Sequence, residues 1–376
     1  MPRSPIADRL TDSEFATLGP HRWLAVALGA QRDALESALA RLESPERDAE
    51  AVHDVRVTTR RLRGILDAGS DFITGAGVRK LAKRLKLVRR ELGVSREAEV
   101  GAELLAERRE KLPAPTRAAA AAVAARFLGQ RDRFERDKAD IVSHLELRRL
   151  RKRLGRVIRS LNDRDQPPTG EASMSLHEFR GRASSILRER WTTLVEAPLE
   201  PIQQHDAVSQ HEFRIKGKKL RYALELFAPL FPKAIDRRIA LLRSMQDQLG
   251  HLHDLADLAD EARDMGFRVR QAGFSAEASA FGDLADLLDA ERRQGLAGFG
   301  ARHQALVHPG FLPPASRPPA RLLTAVPPVE APPAAMPPGE TGAAGSTRTE
   351  SPPTEPPVDG VPPPLYIVDG GQRKPS

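Results

Sequence analysis

The sequence predicts an all-α protein: two pseudo-symmetric helical bundles made by an internal duplication, followed by a disordered, proline-rich tail. Three observations carry this. Apolar residues recur at helical spacing along nearly all of residues 20–307. One basic segment occurs twice, 158 residues apart. Of the chain's 31 prolines, 19 lie in its last 68 residues.

Taken in order, the periodicity predicts helices over 20–43, 51–68, 78–93, 96–111, 116–139 and 141–163. It then predicts helices over 174–196, 206–228, 234–249, 252–264, 274–294 and 296–307. Pro113, Pro115, Pro167, Pro168, Pro198, Pro201, Pro229 and Pro232 punctuate them, because proline lacks an N–H and disfavours helix at the residue before it. No run alternates as a strand does, and no glycine-rich phosphate loop of the GxGxxG or GxxxxGK[ST] type occurs.

From Pro309 onward, paired prolines and low apolar content favour disordered or extended polyproline II chain. Two readings stay open for this tail: a solvated spacer, or a segment that docks a protein partner. It carries five basic and six acidic residues, so the chain's net charge of +8 belongs entirely to residues 1–308. A basic body suits a polyanionic partner. The chain has no cysteine, which excludes disulfides, thiolate-held metals and thiol nucleophiles. Aromatics make up 5%, which argues against base-stacking platforms. No stretch reaches the roughly 20 apolar residues of a membrane span. Residues 1–18 lack the charged-then-apolar pattern of a signal peptide. The expectation is a cytoplasmic protein without membrane contact.

The repeated segment is His53-Asp54-Val55-Arg56-Val57-Thr58-Thr59-Arg60-Arg61-Leu62-Arg63, returning as His211-Glu212-Phe213-Arg214-Ile215-Lys216-Gly217-Lys218-Lys219-Leu220-Arg221. A Leu-Gly pair follows in each half (Leu92-Gly93, Leu249-Gly250), with an acid four residues after each glycine (Glu97, Asp254). The repeat divides the body, residues 15–308, into halves of about 17–165 and 170–308, with a linker around 163–170. At about 100° per residue, His53, Arg56, Arg60 and Arg63 share one stripe, opposite Val55, Leu62, Ile65 and Leu66. His211, Arg214, Lys218 and Arg221 form the same stripe in the second half. Arg79, Lys83, Lys86 and Arg90 make another, and Arg148, Lys152, Arg156 and Arg159 a third.

Like charges at i and i+4 repel by a few tenths of a kcal/mol per pair. Either each side chain snorkels into water or finds an acid, or the stripes face a shared anion. Arginine offers forked contacts to phosphate oxygens and lysine a mobile point charge.

These motifs resemble the conserved histidine α-helical domain, the CHAD family, over residues 15–308. The likeness rests on the His-x-x-Arg-x-x-x-basic-basic-x-Arg helix and the following Leu-Gly turn, present twice, with Tyr222 continuing the second copy. The resemblance implies two pseudo-symmetric bundles that bind inorganic polyphosphate in a central basic cavity, with no reaction. The ligands it implies are His53, Arg56, Arg60, Arg61 and Arg63, then Lys83, Lys86 and Arg90. From the second half it implies His211, Arg214, Lys218, Lys219 and Arg221, then Arg243. The second half is less basic: Asp236, Ala240 and Asp247 stand where the first half has Arg79, Lys83 and Arg90. Glu97 stands where the family has Asp. The Glu-x-Glu-x-Lys strand of the triphosphate tunnel domains often fused to this family is missing, which removes the reason to expect triphosphatase or cyclase chemistry.

No enzyme activity, cofactor or metal is expected. The His251-Leu252-His253-Asp254 run puts i and i+2 on different helix faces, and no serine or threonine sits near a histidine in a catalytic pattern. Nucleic-acid binding is the rival, since its phosphodiester backbone shares the chemistry of polyphosphate. A third reading is a scaffold that recruits a partner through the tail and a polyphosphate granule through the bundle.

Overall fold

The computed structural model describes residues 19–44, 48–164, 174–231 and 235–312. All of them belong to one compact unit. The linker expected around 163–170 falls largely outside the described residues, as does the tail beyond 312; its first residues, Pro309–Phe311, instead form a 3-10 turn whose Phe311 is buried, so the body runs past the expected boundary at 308. Among the described residues all regular structure is helical.

The helices are α1 (Pro20–Glu43), α2 (Ala49–Ala68), α3 (Ala76–Glu91), α4 (Gly93–Arg108), α5 (Ala114–His144) and α6 (Leu147–Arg164). The second half has α7 (Leu176–Val195), the short α8 (Leu199–Gln203), α9 (Ala207–Phe227), α10 (Ile235–Gln271), α11 (Ser275–Gln294) and α12 (Phe299–Val307). Their starts follow capping chemistry. The Asp48 carboxylate accepts from the Ala51 N–H, and Asp206 accepts from Ser209. Ser175 and Glu178 form a reciprocal capping box at α7. The two aspartate caps place the starts of α2 and α9, the two copies of the repeated segment.

One expectation needs correction. The pair predicted over 234–249 and 252–264 is a single helix, α10, of 37 residues. Gly250 sits in its interior, where glycine costs about 0.5–1 kcal/mol relative to alanine. The helix continues because Leu242, Met245, Leu249, Leu252, Leu255 and Leu258 form one unbroken buried line. The first half does break at the matching place: Leu92 has φ −82° and ψ 2°, and α3 ends where α4 begins.

Two apolar cores form, and each draws on both halves of the repeat. The larger gathers α1, α2, α3 and α6 with α7, α9, the first part of α10 and α12. At its centre Phe179 of α7 takes Trp23 of α1, Phe72 and Phe227 of α9 edge-on, at 5.7, 5.3 and 6.1 Å between centroids. The Trp23 indole N–H donates to the Leu226 carbonyl at 3.2 Å, which ties the first helix to the end of α9. The smaller core joins α4 and α5 to the second part of α10 and α11 through Leu105, Val123, Leu255, Leu258, Phe281 and Leu284. Arg108 closes its edge on Glu291, with Nε 2.8 Å from Oε2. The consequence for function is that α2 and α9 pack against one another.

Candidate functional site: a cationic seam between the repeated helices

Helices α2 and α9 bury Val55, Leu62 and Ile65, and Phe213, Leu220 and Leu224. That leaves their basic stripes along the line where the helices meet. Arg60 has Arg221, Arg89 and Arg61 as cationic neighbours. Lys218 has Arg214, Arg60, Arg221 and Arg89. The seam is therefore built from both halves, with Arg89 of α3 along one side.

These charges are poorly compensated. Among the described residues, Arg60, Arg63, Arg89, Arg214 and Lys218 have no carboxylate within ion-pair distance. The Nε atoms of Arg89, Arg214 and Arg221 are buried without a hydrogen-bond partner. Burial, then mutual repulsion, lowers the proton affinity of Arg60 and Lys218, and burial leads the same effect at Arg56 and Arg63. For Lys218 the pKa falls from 10.5 to about 8. An arrangement so costly when empty is suited to a multivalent anion that repays it.

The Leu-Gly pairs gain a physical reason here. A Cβ on Gly93 would lie 3.0 Å from Arg56 Nη1, and one on Gly250 would lie 3.7 Å from Arg214 Nη2. Each glycine lies against the first arginine of its own half's motif, tightly at Gly93 and at ordinary contact distance at Gly250. The following acids play matching parts. Glu97 lies 3.7 Å from Arg56. The carboxyl of Asp254 is pushed up by burial while Arg214 pulls it down. Glu97 thus faces its arginine at ion-pair distance, and Asp254 feels the charge of Arg214 from farther away.

The remaining sequence-derived candidates take varied positions. Arg56 and Arg63 line the seam. Arg61 is half-buried and Lys219 exposed, and both lie off the stripe. Arg221 stacks over the Tyr222 ring at 5.1 Å and lies 3.7 Å from Glu225. Arg243 reaches the same Glu225 at 3.6 Å. His53 is half-buried, and His211 is exposed with its ring edge-on to His253 at 6.3 Å. Lys83, Lys86 and Arg90 are exposed on the outer ridge of α3, where Arg90 donates to its neighbour Glu91. The residue that α3 does give to the seam is Arg89, which the stripe pattern of the sequence does not single out. Its counterpart in the second half is Gln246, buried with both amide atoms unpaired. Two concavities lie elsewhere. One, of about 420 Å³, has Asp283 and Asp286 in its lining, and its acidity ill suits an anion. The other, of about 340 Å³, is lined by Arg149, Lys152, Arg153 and Arg156.

Lys218 makes a pH prediction. Between about pH 8 and pH 10.5 the unfolded chain keeps this proton while the folded chain has lost it, so this residue makes stability rise with pH across that window. A bound polyanion favours the ammonium form, so binding takes up a proton near pH 8 and weakens above it. Anion affinity measured at pH 7 and pH 9.5 should fall in the native protein. The fall should be largely absent in Lys218→Arg, which stays charged.

Among the described residues, an all-α chain whose two similar basic helices meet in one seam defines a helical module without a sheet. The family model for the CHAD domain matches residues 26–263, and the chain belongs to that family. The fold is similar to the crystal structure of the CHAD domain from the plant Ricinus communis, with TM-score 0.56 and 22% identity, covering 77% of this chain and 92% of that one. PptA from Streptomyces chartreusis gives TM-score 0.48 and 19% identity, covering 77% of this chain and 99% of that one. No curated protein matches.

Proposed function

We propose that the seam binds inorganic polyphosphate without reacting with it. The observation that supports this most is the cluster of Arg60, Arg89, Arg214 and Lys218, drawn from both halves, desolvated and, among the described residues, with no carboxylate at ion-pair distance. Polyphosphate carries about one charge per phosphate and has no bases to accommodate, so it matches a dense, narrow line of cations. Membership of the CHAD family supports the same ligand. Of the acids near the seam, Glu97 lies 3.7 Å from Arg56 and Asp254 feels the charge of Arg214, which suits charge balance rather than proton transfer. No described helix is long and apolar enough to cross a membrane. A cytoplasmic protein that rides on polyphosphate granules, with the proline-rich tail presenting a partner, is the role this reading implies.

The test is competition. Labelled long-chain polyphosphate bound to the full chain is challenged with RNA, duplex DNA and heparin at several salt concentrations. The expected result is that polyphosphate outlasts all three at physiological salt. Equal displacement by nucleic acid would make the seam a general polyanion surface.

A further inference from the structure

The strongest charge in the molecule lies partly outside the seam. Helices α3 and α6 together hold fifteen Lys and Arg against two acids, while the whole chain is only +8. The rest of the chain is therefore net negative, and its excess of positive charge sits on these two packed helices.

Their geometry makes a path. Along α3 the buried line is Leu81, Leu85 and Val88. At 100° per residue, Arg89 flanks that line on one side and Arg84 on the other. Arg79, Lys83, Lys86 and Arg90 stand exposed on the ridge between them. Arg89 belongs to the seam. Arg84 turns to α6, where its cationic neighbours are Arg153 and Arg149. Glu146, held at φ 46° in the α5–α6 turn, pairs with both Arg84 and Arg149. Lys152, Arg153 and Arg156 then line the 340 Å³ concavity with no ion pair among the described residues.

Resting on the seam's assignment to polyphosphate, we infer that a long chain continues from the seam over the α3 ridge and into the α6 concavity, which is a second subsite that selects for polymer length. A short oligomer occupies the seam alone, because crossing α3 means traversing a helix about 10–12 Å across. Continuity of one linear ligand explains why the cationic surface wraps α3 on both flanks and its ridge.

The test uses the full chain with Lys152→Gln and Arg156→Gln, both at exposed positions, and the charge-reversed pair Lys152→Glu and Arg156→Glu. Affinities for tripolyphosphate, long-chain polyphosphate and duplex DNA are measured against salt, with helicity checked by circular dichroism. Long-chain affinity is expected to fall about tenfold or more, with the log–log salt slope reduced by roughly 1.4, or about 0.7 per lost contact on a single-stranded polyanion. Tripolyphosphate affinity is expected to stay unchanged. Equal losses for both lengths, or no loss for the long chain, overturn the inference while tripolyphosphate binding keeps the seam's reading intact. Loss confined to DNA overturns it in favour of a nucleic-acid face. If the native protein holds neither polyphosphate, the seam's reading fails and this inference fails with it.

Discussion

Replacing Arg60 by Gln and Lys218 by Met together is expected to weaken polyphosphate binding about a hundredfold or more and to raise the melting temperature of the ligand-free protein. The two effects have one cause. Hydrogen bonds to charged groups contribute about 1.5–3 kcal/mol each, so losing two corresponds to a factor of roughly 10² to 10⁴. In the empty protein the same two cations lie among Arg89, Arg214 and Arg221 with no carboxylate to offset them. Gln and Met keep much of each stem and its packing while removing the charge. Residues that served only to hold the fold would lose stability when changed. Snorkelling surface residues would change neither quantity. Binding titrations paired with thermal melts, with and without ligand, separate the three cases. Loss of affinity without a gain in apo stability would mean that the seam is better solvated than its burial implies.

How much of the fold and the seam is legible in the sequence follows from what each signal reports. Periodicity reports which face is buried, so the helices of both halves, and the stripes of α2 and α9, are readable from residue spacing alone. At α3 the same signal does not single out the seam residue. The most regular basic stripe there, Arg79, Lys83, Lys86 and Arg90, is the outward ridge, because an i, i+4 series opposite the apolar line is the most solvent-facing one. The residue that enters the seam, Arg89, sits beside Val88 at the edge of that line, where no stripe is visible. Cations that flank the apolar line, rather than oppose it, are the signal that picks out both Arg89 and Arg84. The Leu-Gly pair is visible as a repeat. What it does at Gly93, leaving space for Arg56, depends on a contact between helices. Gly250 reads as a break because Gly93 lies at one, yet the buried leucines on both sides outweigh the modest cost of an interior glycine.

The Gly64→Ala substitution is expected to destabilise the protein by about 1–3 kcal/mol, a few degrees in melting temperature, although it adds one methyl group. A Cβ at Gly64 would lie 2.6 Å from Tyr222 Cγ and 2.8 Å from its Cβ. Those atoms are next to the backbone of α9, so a rotamer change does not relieve the clash, and α2 and α9 must move apart. Gly64 and Tyr222 are the same position in the two copies of the repeat, eleven residues after His53 and His211. At this crossing of the two helices, those equivalent positions face one another. Two tyrosines would collide there and two glycines would leave a void. One of each fills the crossing. The tyrosine also sets the stage for the seam, since Arg221 stacks on its ring and Arg60 is its neighbour. Displacing it should therefore lower polyphosphate affinity as well as stability. The double variant Gly64→Ala, Tyr222→Gly is the control, because glycine alone removes the Cβ that the new methyl meets at 2.8 Å. If the crossing works as described, Gly64→Ala costs far less in the Tyr222→Gly background than in the native one, and a double-mutant cycle shows a coupling well above the roughly 0.3–0.5 kcal/mol expected of independent sites. Additive effects would mean that α2 and α9 tolerate the extra methyl and that the asymmetry of the pair has no role in closing the seam.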